Sequence, residues 1–243
     1  PTFLWLRERG TARQVPAGES VVQRGLVRLR ETWLEMRQFQ DLRRLLISIF
    51  FSMAGIAIIV SFAFIYGAQV IQWDDSVRTM MFVIVQFNAA VGAIAFGILQ
   101  SRLGSRFTYM LSQGLWVVAI LAIWLTPEIA ALAREQLDVN WQAQYVFLFA
   151  GCLAGLSLGS AQSAGRALVG LLTPAGKSAE FFGMWGTAAK LAAVFGMLGL
   201  GLLQTFFGLA DAILFCLVLF AVSMWVVSSV DETRGRAAAD QWC

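Results

Sequence analysis

Along this chain, long apolar runs alternate with short polar breaks. After a polar opening stretch, six apolar segments lie near residues 45–70, 77–100, 107–125, 143–171, 181–204 and 208–230. A helix rises ~1.5 Å per residue, so ~20 residues cross ~30 Å of hydrocarbon. Lipid offers no partner to backbone N–H and C=O groups, so the pattern predicts membrane-spanning helices. The expected fold class is an all-α membrane protein of six transmembrane helices. Residues 1–44 form a linker, 45–230 the transmembrane bundle and 231–243 a tail.

The linker has a pattern of its own. Val22, Leu26, Leu29, Trp33 and Met36 recur at steps of four and three, while Arg24, Arg28, Arg30 and Arg37 lie mostly elsewhere. That spacing predicts an amphipathic helix, lying on the membrane or solvated on its basic side.

Charge orients the bundle. Residues 7–44 hold nine Arg against five acidic residues. Arg102 and Arg106 follow the second span, Lys177 the fourth, and Arg234 and Arg236 the last. The other side has Arg78 and Arg134, outnumbered by Asp74, Asp75, Glu128, Glu135 and Asp138. The positive-inside rule then puts both termini in the cytoplasm and residues 126–142 outside. A bacterial inner membrane is expected rather than an organelle membrane.

Composition agrees and narrows the classes. The chain is 58% hydrophobic and 14% charged, against about a quarter charged in soluble domains. With no histidine, imidazole triads, His-ligated metals and His proton relays are excluded. Cys152, Cys216 and Cys243 are too dispersed for a disulfide frame or metal site. No protease, hydrolase or carboxylate-pair motif appears, so an enzyme is not expected, nor a cofactor, metal or nucleic-acid partner.

Two stretches match at an offset of 104 residues: AAVGAIAFGILQSRLG from Ala89 and AVFGMLGLGLLQTFFG from Ala193. Gly92 aligns with Gly196, Gly97 with Gly201, Gln100 with Gln204 and Gly104 with Gly208. Chance matching of Gly- and Leu-rich helices is the competing reading. The same offset carries spans one to three onto spans four to six, so 45–125 and 143–230 read as two copies. Three spans per copy make the second inverted. Arg102 and Arg106 then correspond to Phe206 and Ala210, as expected for an end facing outward.

Gly97-Ile-Leu-Gln-Ser101-Arg102-Leu-Gly104-Ser-Arg106 resembles the conformational-loop signature of the major facilitator superfamily, with Ser101 where an acid is usual. A three-plus-three inverted repeat is also the plan of each half of such a transporter. Ala161-Gln162-Ser163 with Arg166, then Pro174, Glu180-Phe181-Phe182-Gly183 and Lys190, is similar to the vacuole effluxer-like (autophagy-related) branch. Tyr66-Gly67-Ala68 and Gln86-Phe87 also fit. Ala54-Gly55 stands where Asp-Gly is expected, and Gly186 is four residues from Lys190 rather than adjacent. The resemblance implies that the chain is spans seven to twelve of a twelve-span transporter, preceded by its central loop. The six-helix N-terminal half is then its partner, beside the lipid bilayer. Fungal members of that branch export amino acids from vacuoles.

The deep polar residues are the candidate site. Lys190 lies ten residues beyond Glu180, about 15 Å in, where an ammonium costs ~2.5–3.5 kcal/mol on insertion scales unless a cavity or partner relieves it. No carboxylate lies deep in the six spans. Lys190 is therefore expected to face inward, for transport or as a structural link between halves. The 104-residue offset places Gln86 opposite it, with Asn88 nearby; both could equally serve interhelical hydrogen bonds. Gln162 and Arg166 share one helical face, and Arg166 is shallow enough to be an interfacial anchor. Gly151, Gly155, Gly159 and Ser163 form a stripe for close helix packing. The expected function is alternating-access transport of a small anionic or zwitterionic solute, foremost an amino acid, whose carboxylate meets Lys190. A proton-coupling carboxylate belongs to the absent half. The alternative is a stand-alone six-span scaffold or self-associating subunit without transport.

Overall fold

The computed structural model describes Gly25, Val27 and residues 34–136 and 142–242. The amphipathic helix expected over 22–36 falls almost wholly outside the described residues, as do Trp141 and Cys243. The described elements are all helical: α1 (Gln40–Tyr66), α2 (Asp75–Leu103), α3 (Ser105–Trp124), α4 (Thr126–Gln136), α5 (Ala143–Leu172), α6 (Ser178–Ala212), α7 (Phe215–Ser228) and α8 (Glu232–Asp240). A π-helical turn, Gly67–Ile71, extends α1.

Helix α6 is not one rod. Gly208 within it has φ 81° and ψ 170°, which only glycine adopts without strain. The contacts show that the chain reverses there. Before Gly208, α6 runs parallel to α1, for Phe181 meets Phe39 and Phe195 meets Phe50. After it the chain runs antiparallel: Gly55 abuts Phe220, Ser48 bonds Ser223, and Asp41 lies by Asp231. Five helices are long and apolar enough to cross a membrane, and the chain after Gly208 returns along α1 as a shorter sixth apolar segment. Gly104, between α2 and α3, has φ 85° and ψ 158°. The two glycines aligned by the internal match therefore share one backbone conformation and one job.

The spans pack in an exchanged pattern. Helix α5 takes α2 and α3 against it, while α1 takes α6 and α7. Helices α3 and α7 meet directly, with Trp116 stacked on Phe220 at 5.7 Å. Those two rings occupy equivalent positions at the 104-residue offset. Helices α1 and α5 are the core, and α2 and α6 the surface: in their most apolar stretches α1 is 67% and α5 56% buried, against 6% for α2 and 17% for α6.

Close backbone approach holds the outer helices on. In lipid, helices gain little hydrophobic drive against one another, so small residues and van der Waals contact decide. A Cβ on Gly159 would stand 1.7 Å from the Ala89 carbonyl oxygen, and one on Gly92 2.3 Å from that of Leu156. Gly155 meets Val85 and Asn88, and Gly151 meets the Met81 sulfur. The expected glycine stripe is thus the seat of α2. Gly196 plays the same part for α6 against Ala54. Gly201 has open space, so it seats nothing.

A hydroxyl seam joins α1, α3 and α7. Ser48 donates to the Ser223 carbonyl at 2.8 Å, and Ser52 to Gln113 Oε1 at 3.1 Å. Tyr109 is buried beside the same groups. At the opposite end, the Trp73 ring lies flat against Gly67 and touches Phe147, closing the α1–α2 connection onto α5. Cys152 and Cys216 are free thiols.

Gly159→Ala is expected to destabilise the protein by about 1–3 kcal/mol, since overpacking here strikes backbone. Gly201→Ala should be close to neutral. Thermal unfolding of the two variants in detergent checks the contrast.

Candidate functional site

The five predicted binding residues occupy three helices. Lys190 is two residues before buried Ala192, and a helix turns about 100° per residue, so it sits nearly opposite the side of α6 packed on α1. It is exposed and makes no ion pair among the described residues. Within this chain it therefore faces outward from the bundle. Gln86 holds the matching place on α2, turned away from buried Met81 and Gly92. It borders a 130 Å³ apolar cavity between α1, α2, α3 and α5.

The other three are less free. Asn88 donates to the Ile84 carbonyl of its own helix at 2.9 Å and packs on Gly155. Gln162 reaches the Met53 sulfur at 3.9 Å, and its Oε1 is buried without a hydrogen-bond partner among the described residues. Arg166 lies over the Trp185 ring, 5.2 Å from guanidinium carbon to centroid, a cation–π contact between α5 and α6. No hydrogen bond or ion pair joins these five residues to one another among those described. Around Gln86 and Lys190 the outer faces of α2 and α6 are strongly apolar: Phe87 is 70% exposed and Leu191 60%. No group of three potential metal ligands occurs among the described residues.

The loop signature is built into a charge lattice at the end shared by Gln40, Gly104, Pro174 and α8. Among the described residues Ser101 bonds the Ile98 carbonyl alone, and Arg102 is exposed. Gln100 donates to the Ser105 hydroxyl at 2.8 Å across the Gly104 turn. An acid from far along the chain, Glu232, reaches the Arg106 end of the signature. The Arg106 backbone N–H donates to Glu232, and its guanidinium donates to the Ser228 carbonyl. Glu232 thus sits at the N-terminus of α3, where the helix dipole favours an anion.

Beside it, Asp41 at the start of α1 is 3% exposed. Arg234 grips it with two bonds, Nε to Oδ2 at 2.7 Å and Nη2 to Oδ1 at 2.6 Å. The Asp231 N–H adds a third at 2.9 Å. Gly235 lets α8 lie against Leu172 and Asp41. Lys177 pairs with Glu35 and stands over the Trp242 ring. None of Asp41, Glu232 or Glu35 stands out in the sequence. The available signal was the acid–base run Asp231-Glu232-Thr233-Arg234 right after a span. Among the described residues, Arg102, Arg106, Lys177, Arg234 and Arg236 share this face, as expected.

Asp231 caps α8. Hydrogen bonds from the Thr233 hydroxyl and the Arg234 N–H hold its carboxyl below the ordinary value. Its contribution is present above the ordinary carboxylate pKa and is lost as pH falls through the lowered one.

A bundle of six apolar helices with paired charges gathered at one end defines an all-α, multi-pass membrane protein. The family comparison is specific: a model described as "Vacuole effluxer Atg22 like" matches residues 1–240, and the chain belongs to that family. It is 25% identical over 224 residues to the uncharacterized MFS-type transporter YxiO of Bacillus subtilis, covering 91% of this chain and 48% of the relative. It is 25% identical over 218 residues to Autophagy-related protein 22 of Saccharomyces cerevisiae, covering 89% and 40%. For Autophagy-related protein 22-1 of Penicillium rubens the identity is 24% over 251 residues, covering 98% and 42%. The chain thus spans about half the length of the curated relatives it matches. No solved structure matches significantly.

Arg234→Ala should lower the unfolding temperature, because it strips a buried carboxylate of its main partner. Arg236→Ala should leave it unchanged. In an Asp41→Asn background the Arg234→Ala effect should shrink, which a double-mutant cycle measures.

Proposed function

We propose that this chain is one half of an alternating-access transporter for a small anionic or zwitterionic solute, with an amino acid the foremost candidate. The observation that carries the reading is the pair of outer helices. Helices α2 and α6 turn long apolar faces outward, and each face bears one deep polar side chain, Gln86 and Lys190. A lipid-facing surface does not favour an ammonium at that depth. A facing six-helix half relieves it by enclosing a wet crevice. The half-length coverage of the relatives supports such a partner, and the name of the Bacillus subtilis relative supports transport.

In this reading Lys190 meets the solute carboxylate, a charge-assisted contact worth about 1.5–3 kcal/mol. Gln162 contributes its unengaged amide oxygen, a natural acceptor for an ammonium. Arg166, already laid on Trp185, serves as a secondary cation near the mouth. Asn88 is committed to packing and contributes least. The chain's two three-span units are inverted copies, as the exchanged packing and the matched turn glycines support. The shared basic face supports cytoplasmic termini, and the bacterial relative supports a bacterial inner membrane. The same apolar faces would also suit a self-associating six-span scaffold. A purified complete protein that moves no solute and forms six-span homodimers favours that reading.

Lys190→Ala in the complete protein, reconstituted in vesicles, should cut uptake of its amino-acid substrate roughly tenfold or more, with normal membrane insertion. A radiolabelled amino-acid panel provides the measurement. Undiminished uptake by the variant would make Lys190 a structural cation.

A further inference from the structure

A second opening lies between α1 and α6 at the charged end of the bundle. It is a groove of about 540 Å³. Arg37 and Arg43 stand at its charged end, and the walls below are apolar, with Ile47 and Phe50 on α1 and Ala188 and Leu191 on α6. Thr187 is the one hydroxyl among its walls. From Arg43 to Phe50 the apolar wall descends about 10 Å along the helix.

The two arginines have no acidic partner among the described residues. The carboxylates nearest in sequence are engaged elsewhere: Glu35 holds Lys177, and Asp41 holds Arg234. Both guanidiniums are exposed. They sit on the face that carries the loop cations, at the level where the apolar spans begin. A guanidinium fork suits phosphate oxygens better than an ammonium does.

We propose that this groove binds one anionic phospholipid, its phosphate on Arg37 and Arg43 and an acyl chain along Ile47, Phe50, Ala188 and Leu191. The arrangement selects an amphiphile. A soluble anion would leave the apolar wall wet, and a neutral lipid would leave the arginines unmatched. A bilayer leaflet supplies both features in the right order, charge at the interface and hydrocarbon beneath. The occupant would tie the start of α1 to α6, beside the Phe39–Phe181 and Phe50–Phe195 ring contacts and the Gly196 contact on Ala54. This inference is independent of what the protein transports.

Thermal unfolding of the complete protein in neutral detergent tests it, with dioleoylphosphatidylglycerol, dioleoylphosphatidylcholine or sn-glycerol 3-phosphate added. Phosphatidylglycerol should raise the midpoint saturably, and the other two should not. Each arginine changed to glutamine should weaken phosphatidylglycerol about fivefold, since a basic residue near a membrane surface contributes about that factor. Added salt should weaken it too. Ala188→Phe, which fills the groove, should remove the phosphatidylglycerol response and leave the midpoint in phosphatidylcholine intact. Four results overturn the proposal. Phosphatidylcholine could stabilise equally, or glycerol phosphate could suffice alone. The R37Q/R43Q protein could respond like the parent. Ala188→Phe could lower the midpoint in phosphatidylcholine, which would show that the rest of the protein already fills the groove.

Discussion

Direct contact between helix backbones is the constraint on which this bundle rests. In a bilayer the solvent is as apolar as the side chains, so burying leucine against leucine gains little over leaving it in lipid. What remains is distance. Gly92, Gly155, Gly159 and Gly196 remove the side chains that would keep helices apart, and carbonyl oxygens of Leu156, Val85, Ala89 and Ala54 occupy the space. The apolar bulk was instead placed outward, on α2 and α6. That is an inside-out arrangement by the standards of a soluble protein. It makes sense if those outer faces meet lipid and another polypeptide rather than water.

Polar groups have a second, separate task. Within the bundle they are few and short: the serines, Tyr109 and Gln113 form a seam where α1, α3 and α7 meet. At one end they are long and charged, and they connect segments nearly two hundred residues apart, as Asp41 and Arg234 do. Helix α8 therefore acts as a clasp, returning the end of the chain to the start of the first span. Glu232 extends the clasp to the Gly104 turn. The loop signature carries Ser101 in place of an acid, and Glu232 from another helix accepts from the Arg106 backbone N–H.

Much of this was legible in the chain. Hydrophobic length alone placed the six spans, because the bilayer imposes that length on any helix that crosses it. The step-of-four glycines on α5 announced a close neighbour, because small residues on one face let another backbone approach. The matched Gly104 and Gly208 were visible as a repeat, and a positive φ is what they share in space. The unread parts have a common cause. Helix α4 is short and lies within the polar loop, so span length did not mark it. Asp41, Glu35 and Glu232 each look like ordinary surface acids, and their partners are fixed only by how helices assemble. Lys190 illustrates the same limit: its depth can be counted along the sequence, but the direction it faces depends on which side of α6 the glycine contact claims.

The turns at Gly104 and Gly208 carry a practical corollary. Each is a single residue wide, so neither has slack to accept an inserted epitope, a fluorophore tag or a protease site. Probes of sidedness must go instead into the 126–142 connection or the segment around Pro174, where the chain has length to spare. The helices joined at each corner pack mainly on α5 or α1 rather than on each other, so the corner fixes their connection and the core helices fix their position.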